Sequence, residues 1–533
     1  MELKLNEIVS NADAFKSKNI ALPSFDVAKM QADAKENPRW VHFGPGNIFR
    51  IFLARMADDM LADGEFWPIT TAESFAVEEM KRQLWDHDLL TLSVILHPDN
   101  RRDLRVIAGI GEAIVCSEKF ERLLEIFADP QMSTVTFTIT EKGYAIRDAQ
   151  GEFLPGVREG LAAPAIAAHS NAMVLLTGLL LHRYNEGAAP INLLSCDNLV
   201  DNGVTLRNTV LTIAKERLKN ASVTNDFVEW LEDRTKVSFP VSVIDKITPR
   251  PTEPVSKYLS ELGFSDMGLE VINRTEVAGF VNSEPVEYLI LEDAFAAPRP
   301  PFEKYGAHVV DRETVDKFER MKVTGCLNPL HTALAIIGVL LGLETVDQGV
   351  TDPTVRALVD TLGYKEVMPV VADPKIVKPA DFIDEVLNIR FANKALPDSL
   401  MRVATDTSQI ISIRFGETVK EYIARDMDLD NLVAIPLFFA SWCRYLLGIR
   451  DDGTPFDFAP DPLVDELHRH FADITLGSEF DVHQLLEPIL SNSTMFGVDL
   501  SNTALAPRIE QYFWQMTRST GVLRDIIERE FKD

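Results

Sequence analysis

Short strand-like runs alternate with helical stretches through the first half of the chain, and this alternation constrains the fold more than any other feature. The runs are apolar or β-branched, whereas the stretches between them repeat apolar residues at helical spacing. The strand-like runs are residues 39–43, 66–71, 134–140, 191–195, 241–244 and 286–291, and the helical stretches include 173–182 and 204–220. Strands alternating with helices predict an α/β fold with a mostly parallel, doubly wound, Rossmann-like sheet.

The pattern changes at residues 296–301, where three prolines within four residues interrupt regular structure. Beyond this segment few strand signals remain and the chain is mainly helical. The predicted helical stretches are residues 332–343, 381–388, 398–413, 432–447 and 506–531. We therefore predict a Rossmann-like dinucleotide-binding domain over residues 1–300 and a mainly α-helical substrate and catalytic domain over residues 301–533.

The balance of charge argues against a polyanionic partner. Lys and Arg number 53 and Asp and Glu number 81, which gives a formal net charge of −28. A chain this acidic repels nucleic acid and anionic membranes, whereas an anionic small substrate would need a local cationic pocket. We expect the protein to bind a small molecule and neither nucleic acid nor a membrane. The sequence does not determine the oligomeric state.

The cysteine and histidine patterns indicate neither a disulfide framework nor a metal site. The four cysteines are far apart, and the ten histidines are scattered without metal-ligand spacing. Residues 1–11 lack the apolar segment of a signal peptide, and the apolar stretch 330–343 is shorter than the about 20 residues that span a bilayer. We expect a cytoplasmic protein in which residues 330–343 form a buried helix.

A glycine turn joins the first strand-like run of this alternation to a helix. Residues 44–50 read GPGNIFR, and Gly44, Gly46 and Asn47 would let a dinucleotide pyrophosphate approach the backbone at a helix N-terminus. Arg50 would add a cation to that anion site. Phe49 stands where the third glycine of the dinucleotide fingerprint would be, so an ordinary turn between strand and helix explains the residues equally well.

The next strand-like run leads to Glu73, which could bind the adenosine ribose. A carboxylate there would repel a 2′-phosphate, which favours NAD over NADP. A surface glutamate is an equally good interpretation, and the nearby Lys81 and Arg82 could instead serve NADP.

Three residues with acid–base and hydrogen-bonding chemistry surround the start of the predicted buried helix. Asn328 followed by proline is a strong helix start, with Asn328 at the N-cap and His331 on the first turn. Lys322 precedes this helix across a turn at Gly325, and a buried lysine can act as a base near neutral pH. Spacing alone favours a structural interpretation, in which Asn328 caps the helix, His331 packs in the core and Lys322 is solvated.

Polar residues also follow two other strand-like runs. Asn198 comes after residues 191–195, and its amide could bind a substrate oxygen at the carboxyl end of a strand, although an Asx turn is the more common reason for such residues. Asp245 follows residues 241–244, and it too could either bind a ligand at a strand end or form an Asx turn. Cys196 and Cys326 lie within these motifs and are expected to be packed thiols.

Taken together, the motifs resemble the mannitol dehydrogenase family of long-chain, polyol-specific dehydrogenases and reductases. They follow the family's order along most of the chain. The matching segments are GPGNIFR at 44–50, TEKGY at 140–144, SCDNLVDNG at 195–203, VIDKITPRPT at 243–252, LEDAF at 291–295, MKVTGCLNPLH at 321–331 and RFANKALPDSLMRVATDTSQ at 390–409.

The resemblance implies metal-independent hydride transfer to or from a nicotinamide cofactor. Lys322 would be the general base, and Asn198 and Asn328 would hold the alkoxide-like oxygen, as an oxyanion hole does. His331 would orient substrate hydroxyls, and Asp245 would tune Lys322 or join a proton path.

Arg402 matches a substrate-contacting arginine of the family and, with Arg390, is available to bind a carboxylate. The spacing from Lys322 to Asn328 is one residue longer than the family's usual spacing, and Ile410 stands where the family often has a lysine.

The implied activity is NAD-dependent interconversion of D-fructuronate and D-mannonate. Alternatives are oxidation of a neutral polyol such as mannitol, reduction of tagaturonate, and dinucleotide sensing without turnover.

Overall fold

A computed structural model describes residues 1–531 of the chain, which divide into two compact units. The first unit comprises Met1–Leu96 and Arg101–Val315, and the second comprises His97–Asn100 and the chain from Asp316 onward. The proline-rich segment 296–301, near which we predicted the domain boundary, lies within the first unit.

The strands of the described residues all carry labels here in chain order. They are β1 Ile20–Ala21, β2 Trp40–Phe43, β3 Ile69–Glu73, β4 Thr91–Leu96, β5 Arg102–Ile107, β6 Ile110–Val115, β7 Thr134–Phe137, β8 Ile191–Ser195, β9 Val237–Ser238, β10 Ser242–Asp245, β11 Glu270–Ile272, β12 Thr275–Val277, β13 Phe280–Ser283, β14 Tyr288–Glu292 and β15 His308–Val310.

Six parallel strands in the order β6-β3-β2-β7-β8-β9 form the central sheet of the first unit. The chain runs from β2 outward to one edge and then returns to β7 and runs to the other edge. The loops after β2 and β7 therefore meet at the switch point where the strand order reverses, which is where open α/β sheets bind ligands. The predicted Rossmann-like doubly wound sheet is confirmed.

Alternating side chains of the central sheet enter two separate cores. Val41 and Phe43 of β2 belong to one core, whereas Trp40 belongs to the other. Successive residues of a strand point to opposite faces, so a strand buried on both sides fills both cores. This accounts for the almost continuous apolar runs from which the strands were predicted.

The first unit also contains three smaller sheets that the sequence did not separate from the central one. Their strand orders are β1-β5-β4-β13, β10-β14-β15 and β11-β12. The run 241–244 is a strand as predicted, but β10 pairs antiparallel with β14 and lies outside the central sheet. Asp245 therefore does not lie at the carboxyl end of a central strand.

Helices flank these sheets in the first unit. The α-helices are Leu5–Ser10, Ala12–Lys16, Val27–Glu36, Ala54–Ala62, Val77–Gln83, Phe120–Ala128, Thr140–Tyr144, Pro155–Ala162, Ala172–Asn185, Asn202–Lys219, Asn225–Glu232 and Glu253–Glu261; Phe49–Leu53 is π-helical, and Trp85–His87 and Phe302–Tyr305 are 3₁₀ turns.

The second unit is mainly helical, as predicted. Its α-helices, the first of which begins in the first unit, are Arg312–Met321, Asn328–Leu340, Val346–Thr351, Pro353–Asp360, Pro379–Glu385, Leu400–Val403, Thr407–Ile411, Glu417–Ala424, Ala434–Tyr445, Val464–His470, Val482–Leu490, Ser493–Phe496, Ala506–Met516 and Val522–Phe531. The π-helical segments are Lys322–Cys326, Thr361–Val367, Val386–Arg390 and Ser412–Gly416, and the 3₁₀ turns are Leu429–Asn431 and Leu500–Asn502.

Two long predicted helices are broken in the structure. Residues 398–413 turn at Asp406, whose φ of +56° is incompatible with a continuous right-handed helix, and residues 506–531 break after Met516. Apolar spacing continues across both breaks because the halves on each side have buried apolar residues, so periodicity alone does not reveal the breaks.

The buried helix around residues 330–343 is longer than the sequence indicated. It forms part of one helical run, Arg312–Leu340, which is long and apolar enough to cross a membrane by length and composition. However, 78% of its most apolar window is buried inside the protein, which is typical of the core helix of a soluble fold.

Candidate active site

The glycine turn at residues 44–46 is fixed by close backbone packing at the switch point of the first unit. Gly44 has φ +89°, and a Cβ there would lie 2.2 Å from the carbonyl oxygen of Thr138, so no other residue fits. A Cβ at Gly46 would meet nothing within 4 Å. The turn thus presents bare backbone to open space beside a helix N-terminus, as pyrophosphate binding requires.

The side chain of His42 supports this turn from within the sheet. Its Nε2 lies 3.2 Å from the Gly44 carbonyl oxygen and 3.0 Å from Thr138 Oγ1, and its ring stacks on Phe49 with centroids 3.9 Å apart. Burial lowers the pKa of His42 to about 3, so the imidazole is neutral. Phe49, which replaces the third glycine of the fingerprint, therefore has a packing role.

Asn47 and Arg50 behave differently although both follow the turn. Asn47 Oδ1 is buried without a hydrogen-bond partner among the described residues, so a bound ligand can supply the missing donor. Arg50 is fully buried, and its guanidinium donates to Thr91 Oγ1 at 3.1 Å and to the Ala278 carbonyl at 3.0 Å. Arg50 therefore ties the π-helical segment Phe49–Leu53 to the β1-β5-β4-β13 sheet, a role that its position in the motif did not reveal.

Glu73 is the last residue of β3, next to the glycine turn. Its Oε1 accepts hydrogen bonds from the backbone N–H groups of Ser74 at 2.8 Å and Phe75 at 2.7 Å, which fixes the carboxylate at the strand end. The other two candidates, Lys81 and Arg82, are each paired with two acidic side chains. The role predicted for Glu73 at the ribose stays a prediction, and the two cations each lie in ion pairs.

The loop that carries Asn198 is held by its neighbour Asp197. The Asp197 carboxylate accepts hydrogen bonds from the backbone N–H groups of Ile139 and Thr140 and, at 2.6 Å, from the hydroxyl of Tyr144. Asn198 itself is exposed beyond the end of β8. The motif pointed to Asn198 but not to the positioning role of Asp197, which the pairing of the TEKGY and SCDN motifs could have suggested.

Asp245 is buried at the end of β10 and is followed by Lys246, whose side chain is buried. Lys246 Nζ donates to Glu287 Oε2 at 2.8 Å, and Glu287 Oε1 accepts from Arg55 at 2.5 Å. Burial lowers the pKa of Lys246 against the raising effect of Glu287. The charged groups beside Asp245 therefore form a structural ion-pair network within the first unit.

In the second unit, Lys322 begins a π-helical segment, Lys322–Cys326, in which its carbonyl accepts from the N–H of Leu327. The Lys322 side chain is buried. The expectation of a turn at Gly325 is wrong, because Gly325 lies inside this segment. A π-helical turn accommodates one residue more than an α-helical turn, which matches the longer spacing between Lys322 and Asn328.

Asn328 is the first residue of the following α-helix and not its N-cap. Leu327 occupies the cap position, and no side chain caps this end. The capping role that we predicted for Asn328 is therefore wrong, and its amide is not consumed by the first turn of its own helix. The proline at position 329 lies at the helix start as predicted.

His331 is neutral and has an unsatisfied ring nitrogen. Its Nε2 is buried without a hydrogen bond among the described residues, since the nearest carboxylate oxygen, Asp398 Oδ2, is 3.6 Å away. Burial lowers the pKa of His331 to about 3, and this effect outweighs the opposing charge of Asp398. The ring stacks on Phe391, so Nε2 is held in place for a polar ligand.

Three guanidinium groups surround His331, and their charges further lower its pKa. Arg402 is bound through Nε to Asp398 Oδ1 at 2.6 Å and also through Nη2 to Asp398 Oδ2. Arg390 is buried at the end of the π-helical segment Val386–Arg390. Arg414, which the sequence analysis missed, donates from Nη1 to Thr332 Oγ1.

The four cysteines are buried and free of disulfides, which confirms the expectation for Cys196 and Cys326. Burial raises the pKa of Cys326 to about 12, and the pKa of Cys196 is raised by the same cause, so neither is a thiolate at neutral pH. Within residues 1–531, no three His, Cys, Asp or Glu side chains are grouped so that they could hold a metal ion.

Two family domains match the chain. Residues 38–304 match the mannitol dehydrogenase Rossmann domain, and residues 314–517 match the mannitol dehydrogenase C-terminal domain.

Curated relatives match over most of their length. The D-mannonate oxidoreductase of Thermotoga maritima is 41% identical over 535 residues, which cover 99% of this chain and 98% of that protein. The Polyol:NADP oxidoreductase of Gluconobacter oxydans is 28% identical over 460 residues, which cover 85% of this chain and 88% of that protein.

Two solved structures share the fold along nearly the whole chain. Substrate-free D-sorbitol dehydrogenase has a TM-score of 0.78 at 25% identity and covers 96% of this chain and 97% of its own. The ternary complex of Pseudomonas fluorescens mannitol 2-dehydrogenase with NAD and D-mannitol has a TM-score of 0.68 at 26% identity, with 96% of each chain covered.

Proposed function

Since the chain belongs to the mannitol dehydrogenase family, we propose that it is an NAD-dependent oxidoreductase that interconverts D-fructuronate and D-mannonate without a metal ion. The family establishes the coarser activity, because its members are dehydrogenases and oxidoreductases of sugar alcohols and sugar acids. Dinucleotide sensing without turnover is therefore set aside. The proposal includes a cytoplasmic location, which the four free cysteines support.

The arginines around His331 favour a sugar acid over a neutral polyol as the substrate. Three guanidinium groups act on one neutral histidine in a chain whose formal net charge is −28. Of these, Arg402 is bound to Asp398, whereas Arg414 has no acidic partner among residues 1–531, and a partly buried arginine is unfavourable unless an anion compensates it. A neutral polyol gives no such compensation, whereas the carboxylate of a uronate does. The full-length similarity to a D-mannonate oxidoreductase supports the same choice.

The first unit fits a nicotinamide dinucleotide. The bare backbone at Gly46 would let the pyrophosphate approach, and Asn47 Oδ1 would accept from a hydroxyl or amide group of the cofactor. Glu73, at the end of the neighbouring strand, would accept from the ribose hydroxyls. Because Lys81 and Arg82 are already paired with acids, a 2′-phosphate would find no free cation there, which supports NAD over NADP.

The residues of the chain would provide the proton and the hydrogen bonds of the reaction. When bound, the nicotinamide exchanges a hydride with the carbonyl carbon of the keto sugar. Lys322 Nζ donates a proton to the carbonyl oxygen during reduction and takes it back during oxidation. Asn198 and Asn328 would hold that oxygen, as predicted from the resemblance. Asp245 would tune Lys322, and His331 Nε2 would accept from a substrate hydroxyl.

Replacement of the lysine tests this assignment. We expect purified Lys322→Ala to lose about 10²- to 10⁴-fold in kcat for NADH-dependent reduction of D-fructuronate, because a positioned general acid contributes that much. Lys420→Ala, at an exposed position in the helix Glu417–Ala424, is the matched control and should keep its activity. A loss of less than tenfold in Lys322→Ala, with the control intact, would show that another group transfers the proton.

A further inference from the structure

Arg402, the family-matched candidate for the substrate carboxylate, is already occupied. Its guanidinium is bound at both Nε and Nη2 by the two oxygens of Asp398, one helical turn earlier. This is the geometry with which arginine would bind a substrate carboxylate. The side chain is also 68% exposed. A second carboxylate would have to displace Asp398 or approach from solvent.

Arg414 differs in each of these respects. It lies in the π-helical segment Ser412–Gly416, which packs against the segment Lys322–Cys326 that carries the proposed base. Its one hydrogen bond in the structure goes to the hydroxyl of Thr332, and no acidic side chain among residues 1–531 is paired with it. Burial without a compensating carboxylate lowers the pKa of Arg414 to about 10.

The partner of Arg414 fixes its position relative to the substrate groups. Thr332 is fully buried and directly follows His331 on the same helix. This bond anchors the guanidinium at the helix that carries His331, on which the charge of Arg414 acts, and no acidic side chain among residues 1–531 is paired with its remaining N–H donors. A partly buried, anchored guanidinium without a counter-ion is a preformed carboxylate site.

We propose that Arg414, and not Arg402, binds the carboxylate of the sugar-acid substrate, an inference that rests on the proposed function. Two N–H donors of the guanidinium face the two carboxylate oxygens, while Nη1 keeps its bond to Thr332. The substrate carboxylate then supplies the counter-charge that the described residues do not provide for Arg414.

Arg402 is a positioning residue in this arrangement. It holds Asp398, whose Oδ2 is the carboxylate oxygen nearest to His331 Nε2 at 3.6 Å. The charged groups that act on His331 are Asp398, Arg390, Arg402 and Arg414. Without Arg402, the charge of Asp398 would favour protonation of His331, which would then cease to accept a substrate hydroxyl.

Two matched substitutions separate these roles in the full-length enzyme. For Arg414→Gln we expect the KM for D-fructuronate to rise at least about 30-fold, since loss of a buried charge pair costs that much or more. The kcat should change less, because the carboxylate is remote from the reacting carbonyl. For Arg402→Gln we expect a smaller change of KM and an acid limb of the pH profile that moves to higher pH. Arg469→Gln, at an exposed helical position, is the control.

Calorimetric titration with D-mannonate in the presence of NAD tests the site without turnover. Arg414→Gln should bind D-mannonate at least about 30-fold more weakly than the wild type, and Thr332→Val, which removes only the anchor, should bind with intermediate affinity. If Arg414→Gln does not fold, Arg414→Lys and Thr332→Val give the same comparison, with smaller losses expected. Equal affinity in these variants, or a larger KM effect in Arg402→Gln than in Arg414→Gln, would overturn the proposal.

The two proposals fail in distinguishable ways. Wild-type enzyme that binds D-mannonate through Arg414 but does not reduce D-fructuronate would contradict the proposed reaction and support the carboxylate site. Wild-type enzyme that reduces D-fructuronate with Arg414→Gln unimpaired would support the reaction and contradict the site. Failure of the wild type to bind D-mannonate would contradict both.

Discussion

At the scale of single residues, buried polar atoms without partners mark both proposed binding regions. Asn47 Oδ1 lies beside the glycine turn of the first unit, and His331 Nε2 lies among the arginines of the second. A buried polar atom left unsatisfied costs about 1–3 kcal/mol. Both residues belong to motifs that the sequence singled out, and a ligand that supplies a donor to each would remove that cost.

Glu73 is the residue from which we predict a preference for NADH over NADPH. Since the two backbone N–H groups fix its carboxylate at the end of β3, a 2′-phosphate at the ribose would meet a fixed negative charge. We expect the wild type to prefer NADH, and we expect Glu73→Gln to raise the ratio of kcat/KM with NADPH to that with NADH roughly tenfold. Glu186→Gln, at an exposed helix end, should leave the ratio unchanged. A wild type that prefers NADPH would refute the role of Glu73.

At the scale of elements, π-helical segments and a distant cap shape the second unit. The helix Ala434–Tyr445 has no cap from its own N-terminal residues. Instead Glu366, from the π-helical segment Thr361–Val367, accepts from the N–H groups of Val433 at 2.7 Å, Ala434 at 2.5 Å and Ile435 at 2.9 Å. A carboxylate at a helix N-terminus is favourable, but full burial of Glu366 opposes its charge and raises its pKa to about 7.

This cap makes stability depend on pH in a defined direction. The folded pKa of Glu366 lies above the ordinary value of 4.5, so folding favours the protonated form. The stability that this group contributes is therefore present in full below pH 4.5 and declines as the pH rises toward 7. We expect the urea midpoint of the wild type minus that of Glu366→Gln to fall from pH 5 to pH 7.5, because only the wild type loses this contribution. A value that stays constant or rises over this range would contradict the assigned pKa shift.

At the scale of the whole molecule, the sequence predicts the regular architecture and misses what depends on distant partners. The parallel sheet and the helical second unit follow from local periodicity, which in the sheet is imposed by the cores on its two faces. The antiparallel pairing of β10 with β14 and the π-helical segment after Met321 leave no periodic signal, because one depends on register and the other on a single extra residue.

The same limit applies to the candidate site. The structure buries Asn47 Oδ1, Lys322 and His331 Nε2 and fixes the Glu73 carboxylate, while the roles assigned to these residues stay predictions. The motifs did not reveal that Arg50 binds the carbonyl of Ala278, since that partner is 228 residues away along the chain. Local motifs predict which residue types are present at a site, whereas their partners are set by the tertiary fold.

The most direct test of the proposed activity compares three keto sugars as substrates of the purified chain. D-Fructuronate, D-tagaturonate and D-fructose would be offered separately with NADH and with NADPH, and turnover followed by loss of nicotinamide absorbance. We predict the highest kcat/KM for D-fructuronate with NADH, at least about tenfold above the other pairs, because its carboxylate would meet Arg414 and a hydroxyl would meet His331 Nε2. Preference for D-fructose, or absence of turnover with all three, would contradict the assignment of a sugar-acid reductase.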